Sequence, residues 1–290
     1  MTMDEMTNTG SNRFDFMGDR TKWNDYRGYS CIGGRSENQD TLVYEMITGK
    51  CQVFIVCDGM GGHAGGCIAS RTAAATVLKS MKTQPDETPV MDLITTAVNE
   101  ANSAVYTKAQ DEPSLRGMGT TLTLLLIDSE AAYVTHIGDS RIYQLRRGRK
   151  VYRSTDHSMV FEQVLKGSLT EEEARMHPRS NVLSRAMGVL PDVEFTITKL
   201  SYHEGDRFVL CSDGVWNSQP EDEIIKLFTE EEDLKSMVKN TCETVERIAQ
   251  EKGGNNDNHT MIAVEALIDS IYQESFFTKI KKLFNPKNQS

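Results

Sequence analysis

Residues 51–63 read Cys51-Gln52-Val53-Phe54-Ile55-Val56-Cys57-Asp58-Gly59-Met60-Gly61-Gly62-His63. The first seven are apolar apart from Gln52, a compact run of the length a strand uses. It stops at Asp58-Gly59. The same arrangement recurs outward along the chain. The run 131–137 (AAYVTHI) leads into Gly138-Asp139-Ser140, and 207–211 (RFVLC) leads into Ser212-Asp213-Gly214. Asn256-Asp257-Asn258 stands before the run 260–267, and Asp40 closes Glu37-Asn38-Gln39-Asp40 before the run 41–47. Further strand-like runs lie at 120–127 and 141–145, and 193–198 (VEFTIT) alternates strictly, as a strand with one solvated face does.

Between the runs the period changes to 3.6. Val90, Leu93, Ile94, Ala97, Val98, Ala101, Ala104 and Val105 share one helical face over 89–108, with Pro89 suited to the first turn. Residues 66–81 form a second helix candidate. A third, 232–250, is stopped by Gly253 and Gly254. The polar segment 158–187 interrupts the strands, carries a capping-box pattern from Thr170 to Glu173, and reads as an inserted lobe or lid. Strands in runs, with helices between the runs, define α+β with antiparallel sheets rather than strict βαβα. No repeat or low-complexity linker divides the chain, so one domain is expected, with residues 1–25 as a flexible arm.

The chain has 290 residues and a formal net charge of -10, from 32 Lys plus Arg against 42 Asp plus Glu. An acidic balance argues against nucleic-acid binding, which needs a basic face. No apolar run approaches the length of a membrane span, and the start of the chain lacks a signal-peptide pattern. A soluble cytoplasmic protein is expected. The six cysteines form no C-x-x-C pair, and none is followed by arginine at the spacing of a cysteine phosphatase.

The recurring acids carry the chemistry. A lone Asp-Gly after a strand is more often a turn than a ligand. Several carboxylates gathered at one sheet edge repel each other, and a hard divalent cation with oxygen ligands is the usual resolution. Gly59 to Ala64 also satisfies the G-x-G-x-x-A dinucleotide fingerprint. Against that reading, Asp58 would face the pyrophosphate, and a helix follows where a strand ending in an acid belongs.

Taken together, Gly34-Arg35-Ser36-Glu37-Asn38-Gln39-Asp40, Asp58-Gly59-Met60-Gly61-Gly62-His63, Gly119-Thr120-Thr121, Gly138-Asp139-Ser140-Arg141, Thr155-Asp156-His157-Ser158, Leu183-Ser184-Arg185-Ala186-Met187-Gly188, Gly205-Asp206-Arg207 with Cys211-Ser212-Asp213-Gly214, and Asp257-Asn258-His259-Thr260 occur in one order over about 28–267. In that order they resemble the metal-dependent serine/threonine protein phosphatases of type 2C (the PPM family) in their bacterial form. The resemblance implies a four-layer α/β/β/α sandwich and a catalytic domain over 26–268 with 158–187 as its flap; beyond the resemblance, 269–290 reads as a C-terminal tail in which Phe276, Phe277, Ile280, Leu283 and Phe284 share one helical face. It implies two Mn²⁺ or Mg²⁺ ions, with a weaker third ion. Asp58 takes the bridging position, Gly59 offers a carbonyl, Asp213 and Asp257 match ligands of one ion, Asp40 matches the other, and Asp139 matches the third. Arg35 falls where the family clamps substrate phosphate, and His63 is the proton donor on offer. Gln39 stands where some relatives carry Glu. His136, His157 and His259 take structural readings.

The activity expected on this resemblance is hydrolysis of phosphoserine and phosphothreonine in proteins by a metal-activated water, reversing a Ser/Thr kinase, in a monomer. Two other classes stay open: a non-catalytic phosphoprotein-binding pseudophosphatase, which would have lost metal acids, and a different two-metal phosphohydrolase.

Overall fold

The apolar run at 51–57 continues as a strand to Met60 and is buried on both faces, so it needs a covering layer on each side. The structure, a computed structural model, describes residues 16–47, 49, 51–62 and 64–271. In chain order its strands are β1 (Met17–Arg20), β2 (Asn24–Cys31), β3 (Asp40–Ile47), β4 (Cys51–Met60), β5 (Gly119–Thr120), β6 (Leu122–Asp128), β7 (Ala132–Ile137), β8 (Arg141–Arg146), β9 (Arg149–Arg153), β10 (Thr198–Leu200), β11 (Arg207–Cys211) and β12 (His259–Ala266). The helices are α1 (Gly65–Thr83), α2 (Val90–Asp111), α3 (Met159–Leu165), α4 (Glu171–Arg175), α5 (Asp213–Trp216), α6 (Glu221–Thr229) and α7 (Leu234–Glu251).

Alternation along β4 assigns the layers. Val53, Ile55 and Cys57 pack with Ala73, Val77, Ile94 and Val98 of α1 and α2. Phe54 and Val56 point the other way, onto Phe208, Leu210, Ile262 and Val264 of a second sheet. That sheet buries its far face, through Tyr143, Val209 and Ala263, against Phe228, Met237 and Cys242 of α6 and α7. The result is a four-layer α/β/β/α sandwich. One sheet has the order β10-β7-β6-β4-β3, with β5 added to β4; the other runs β1-β2-β12-β11-β8-β9. Every described pairing is antiparallel. Among the described residues no helix is long and apolar enough to cross a membrane.

Three sequence expectations change. Residues 17–20, placed in a flexible arm, form an edge strand whose Met17 opposes Gly28. The turn leading out of it is made by a side chain, not by a Gly or Pro signal: the Thr21 hydroxyl accepts from the Trp23 and Asn24 amides, both at 3.1 Å. Residues 1–15 lie outside the described residues. The alternating segment 193–198 is not a strand over its length. Val193, Phe195 and Ile197 pack against the helix-side core, and ladder pairing begins only at Thr198. In the tail, Ser270 donates its amide to Tyr202 O at 2.9 Å and so belongs to the domain. The rest of the tail, 272–290, lies outside the described residues. The inserted lobe contains α3 and α4, and its capping box is present, Thr170 and Glu173 each accepting the other's amide.

Asp139 and Arg141 are close enough in sequence to pair, but Arg141 takes another partner. Its guanidinium donates to both Asp156 oxygens, at 2.8 and 2.6 Å, and lies 3.5 Å over the Trp216 ring. Both charged groups are buried. Arg141→Ala would strand the Asp156 carboxylate, and it should cost about 3–5 kcal/mol, read as a lower urea midpoint with an unchanged m-value.

Candidate metal centre

Antiparallel pairing decides where the acids meet. Asp40 opens β3 and Asp58 lies near the end of β4; the register sets them directly opposite each other. β7 runs parallel to β4, two antiparallel steps away, so Asp139, just past its end, reaches the same edge. In the other sheet Cys211 opposes Arg141 and His259 opposes Cys31. Asp213, after β11, and Asp257, before β12, therefore share one end of the sandwich. Asp58, Asp139, Asp213 and Asp257 line a single cleft of about 370 Å³ together with Arg35 and Gly59. Asp40 is not in the cleft wall; it is buried and joins the group through its pairing with Asp58. A second cavity of about 570 Å³, floored by Phe161, Trp216 and Pro220 beneath the inserted lobe, shares the Asp139 wall. His63 lies outside the described residues.

Uncharged side chains hold the acids in place. Thr121 Oγ1 accepts from the Asp58 amide at 2.9 Å and shares a 2.7 Å hydrogen bond with Ser140, beside Asp139. Ser212 donates to Asp40 Oδ2 at 2.8 Å and accepts from the Thr260 amide at 3.0 Å, joining the two sheets. Asn258 accepts from the Gln39 amide at 2.9 Å and donates to Ile32 O and Glu37 O, pinning the loop that carries Arg35. These three anchors carried no role in the sequence reading. Their presence inside the matching motifs was the only available signal, since each acts on a residue distant in the chain. The glycine at 59 is sterically required: a Cβ there would lie 2.0 Å from Gly66 O at the start of α1.

The electrostatics are those of crowded acids. Burial, then the Asp40 charge, push the Asp58 carboxyl well above its ordinary range, with Asp213, Asp139 and Asp257 adding to the shift. Asp139 is raised by burial and by Asp213. Burial lifts Asp40 to about 7 and, with the neighbouring Asp257 charge, Asp213 to about 6. Asp40 Oδ1 and Asp213 Oδ1 are buried and have no hydrogen-bond partner. Orphaned acceptors facing like charges, in an all-oxygen donor set, fit hard divalent cations. Arg35 donates to Asp257 Oδ2 at 2.7 Å at the mouth of the cleft, and its side chain is about half exposed.

His136 and His157, behind Asp139, are packing and hydrogen-bonding groups. His136 stacks on His157 with ring centroids 4.4 Å apart, and the Gly138 amide donates to His157 Nδ1 at 3.2 Å. Burial and the His136 ring hold His157 down at about 3, a neutral acceptor.

Residues 27–255 match the protein phosphatase 2C family. The chain belongs to that family. It is 32% identical over 238 residues to the serine/threonine protein phosphatase PstP of Mycobacterium tuberculosis, a match that takes in 80% of this chain but only 43% of that protein. It is 36% identical over 234 residues to the protein phosphatase PhpP of Streptococcus pneumoniae, covering 79% of this chain and 92% of the relative. A solved PstP catalytic domain in complex with two manganese ions superposes with a TM-score of 0.70 at 28% identity, over 84% of this chain and 99% of that one.

The raised carboxyls set a pH dependence. Asp40 and Asp213 keep protons in the folded chain at pH values where the unfolded chain has lost them. Between about pH 4 and 7 the folded state thus binds more protons, and stability falls as pH rises. In chelator, the thermal midpoint should be higher at pH 5 than at pH 8. At pH 8, Mn²⁺ at 100 times its Kd should add about 2.7 kcal/mol.

Proposed function

We propose that this chain is a metal-dependent phosphomonoester hydrolase acting on phosphoserine and phosphothreonine in proteins. The observation that carries the reading is the convergence of Asp58, Asp139, Asp213 and Asp257 on one cleft, with Asp40 opposite Asp58 and Arg35 at the mouth. Asp58, paired in register with Asp40 and felt electrostatically by all four other acids, holds the central place. In this reading Asp58, the Gly59 carbonyl, Asp213 and Asp257 would hold one Mn²⁺ or Mg²⁺ ion, Asp58 with Asp40 would hold the other, and Asp139 would serve a weaker third. Bound there, such ions supply a water of lowered pKa and Lewis acidity toward phosphoryl oxygens.

The chain's own part is to bind and orient. A guanidinium has five N–H donors, so the bond to Asp257 leaves others for a phosphoryl oxygen. Asn258 holds the Arg35 loop to the strand end that bears Asp257, which fixes the clamp relative to the ligands. A dianionic monoester suits one fixed cation beside a neutralised acidic cradle. His63 is the proposed proton donor to the leaving alkoxide. All six cysteines are buried, in keeping with water as the attacking group and with a reducing cytoplasm. A phosphoserine substrate requires a kinase to make it, so a Ser/Thr kinase is the proposed counterpart. The names of the relatives support the substrate class.

Purified protein with Mn²⁺ should release phosphate from a phosphoserine peptide, and chelator should stop it. Asp58→Asn should lower kcat/KM by more than about 100-fold, because even outer partners of metal ligands contribute 10–100-fold. Arg35→Ala should cost about 100-fold, with partial recovery in Arg35→Lys. Metal binding without turnover would establish the pseudophosphatase reading instead.

A further inference from the structure

A second group of metal-binding side chains lies behind the aspartate cleft. Cys31 ends β2 and His259 begins β12, and the register sets the two directly opposite each other. Glu246 approaches from α7. The Cys31 Sγ, His259 imidazole and Glu246 carboxylate ligand atoms all lie within 4.8 Å of one another. Sγ is 3.5 Å from Glu246 Oε1, and His259 Nε2 is 2.5 Å from the same oxygen. The Asn256 amide adds a third donor to that oxygen at 3.4 Å. The group is not a surface accident: His259 is fully buried, Cys31 is buried, and Glu246 alone reaches solvent, with about a quarter of its side chain exposed.

We propose that Cys31, Glu246 and His259 form a second cation site, selective for Zn²⁺ and separate from the five-aspartate centre. Thiolate, imidazole and carboxylate together are a zinc donor set, whereas Mg²⁺ prefers oxygen alone. Zinc–donor distances of about 2.0–2.3 Å place tetrahedral ligand atoms roughly 3.3–3.7 Å apart. The Sγ–Oε1 separation already meets this. The Nε2–Oε1 separation must open by roughly 1 Å, a movement open to Glu246 as the partly exposed partner. The solvent-facing side of Glu246 leaves the fourth position to water and provides the entry path. His259 has the outer support that metal-bound histidines use: its Nδ1 lies 3.3 Å from the Tyr29 hydroxyl. Binding releases the thiol proton to solvent and leaves the imidazole proton on Nδ1, which donates a hydrogen bond to the Tyr29 oxygen. The ion would tie the residue before the Arg35 loop to the residue two places after Asp257, closing that loop from behind. None of this rests on the proposed phosphatase activity.

Co²⁺ added to the full chain in excess Mg²⁺ tests the site. Oxygen ligands give no thiolate-to-cobalt absorption, so the aspartate centre is silent in that band. One Co²⁺ per chain should produce it, and Zn²⁺ should remove it. Cys31→Ser should abolish the band, Glu246→Gln should weaken cobalt binding by at least about 10-fold, and Asp58→Asn should leave the band intact. Absence of the band in folded wild-type protein would reduce the cluster to a hydrogen-bond network and overturn the proposal. Persistence in Cys31→Ser would do the same. If Cys31→Ser does not fold, the near-isosteric Glu246→Gln decides: undiminished cobalt affinity overturns the site.

Discussion

Mutual repulsion among five buried or half-buried carboxylates is the constraint around which the rest of this molecule is arranged. Asp58 feels the charges of all the others. Carboxylates so placed drive one another apart unless the backbone beneath them cannot move. Here it cannot, because each acid sits at the end of a strand whose interior is locked between two apolar layers. The cost is local and the restraint is global. Uncharged hydrogen-bond partners do the fine positioning: Thr121 beneath Asp58, Ser212 beneath Asp40, and Asn258 across the loop that bears Arg35. A neutral partner fixes an oxygen without neutralising it, which leaves the negative potential available to a cation. Arg35 pairs with Asp257 at the mouth of the cleft, while the buried Arg141 is turned onto Asp156.

Much of this architecture was written in residues 51–60, where the alternating apolar side chains imply a layer on each side. The helices α1, α2 and α7 were legible because their apolar positions keep a 3.6-residue period, and each aspartate was legible from its place at the end of an apolar run. The opaque parts share a cause. β2 reads Asn24-Asp25-Tyr26-Arg27-Gly28-Tyr29-Ser30-Cys31, polar enough to hide a strand, because Arg27 and Asp25 pair with each other at 2.7 Å and Ser30 bonds to Thr260 at 2.7 Å. At 193–197 the alternation reflects one buried face without a neighbouring strand to pair with, a distinction no local pattern carries. Thr121, Ser212 and Asn258 gain their roles only from residues far along the chain. Cys31, Glu246 and His259 have no spacing signature at all, being drawn from a strand end, a helix and a strand start.

The inserted lobe is fastened to the sandwich by charge as well as by backbone. Arg153 at the end of β9 donates to Glu171 of α4 at 2.5 Å and to Glu221 of α6 at 2.6 Å. Ser158 and Leu183 form an isolated bridge at its base, and Met187 pairs with Thr120 next to the Asp58 strand. The lobe is thus tied to the strand ends that carry the site, and its exposed ion pairs are the part of the attachment most open to salt.

The order of strands has a consequence for how the protein comes into being. The first sheet of the sandwich, apart from β10, is made from one unbroken half of the chain, β3 to β7, and it carries Asp40, Asp58 and Asp139. The second sheet cannot be assembled in that way, since β2, almost the first strand made, pairs along its whole length with β12, the last. Asp257 arrives with that final strand. A nascent chain therefore displays three of its acids before it owns the other two, and the five-acid cluster is complete only when synthesis of the domain is finished. The assembled cluster is in this sense a mark of completion: a half-made chain has three of the carboxylates but not the cradle.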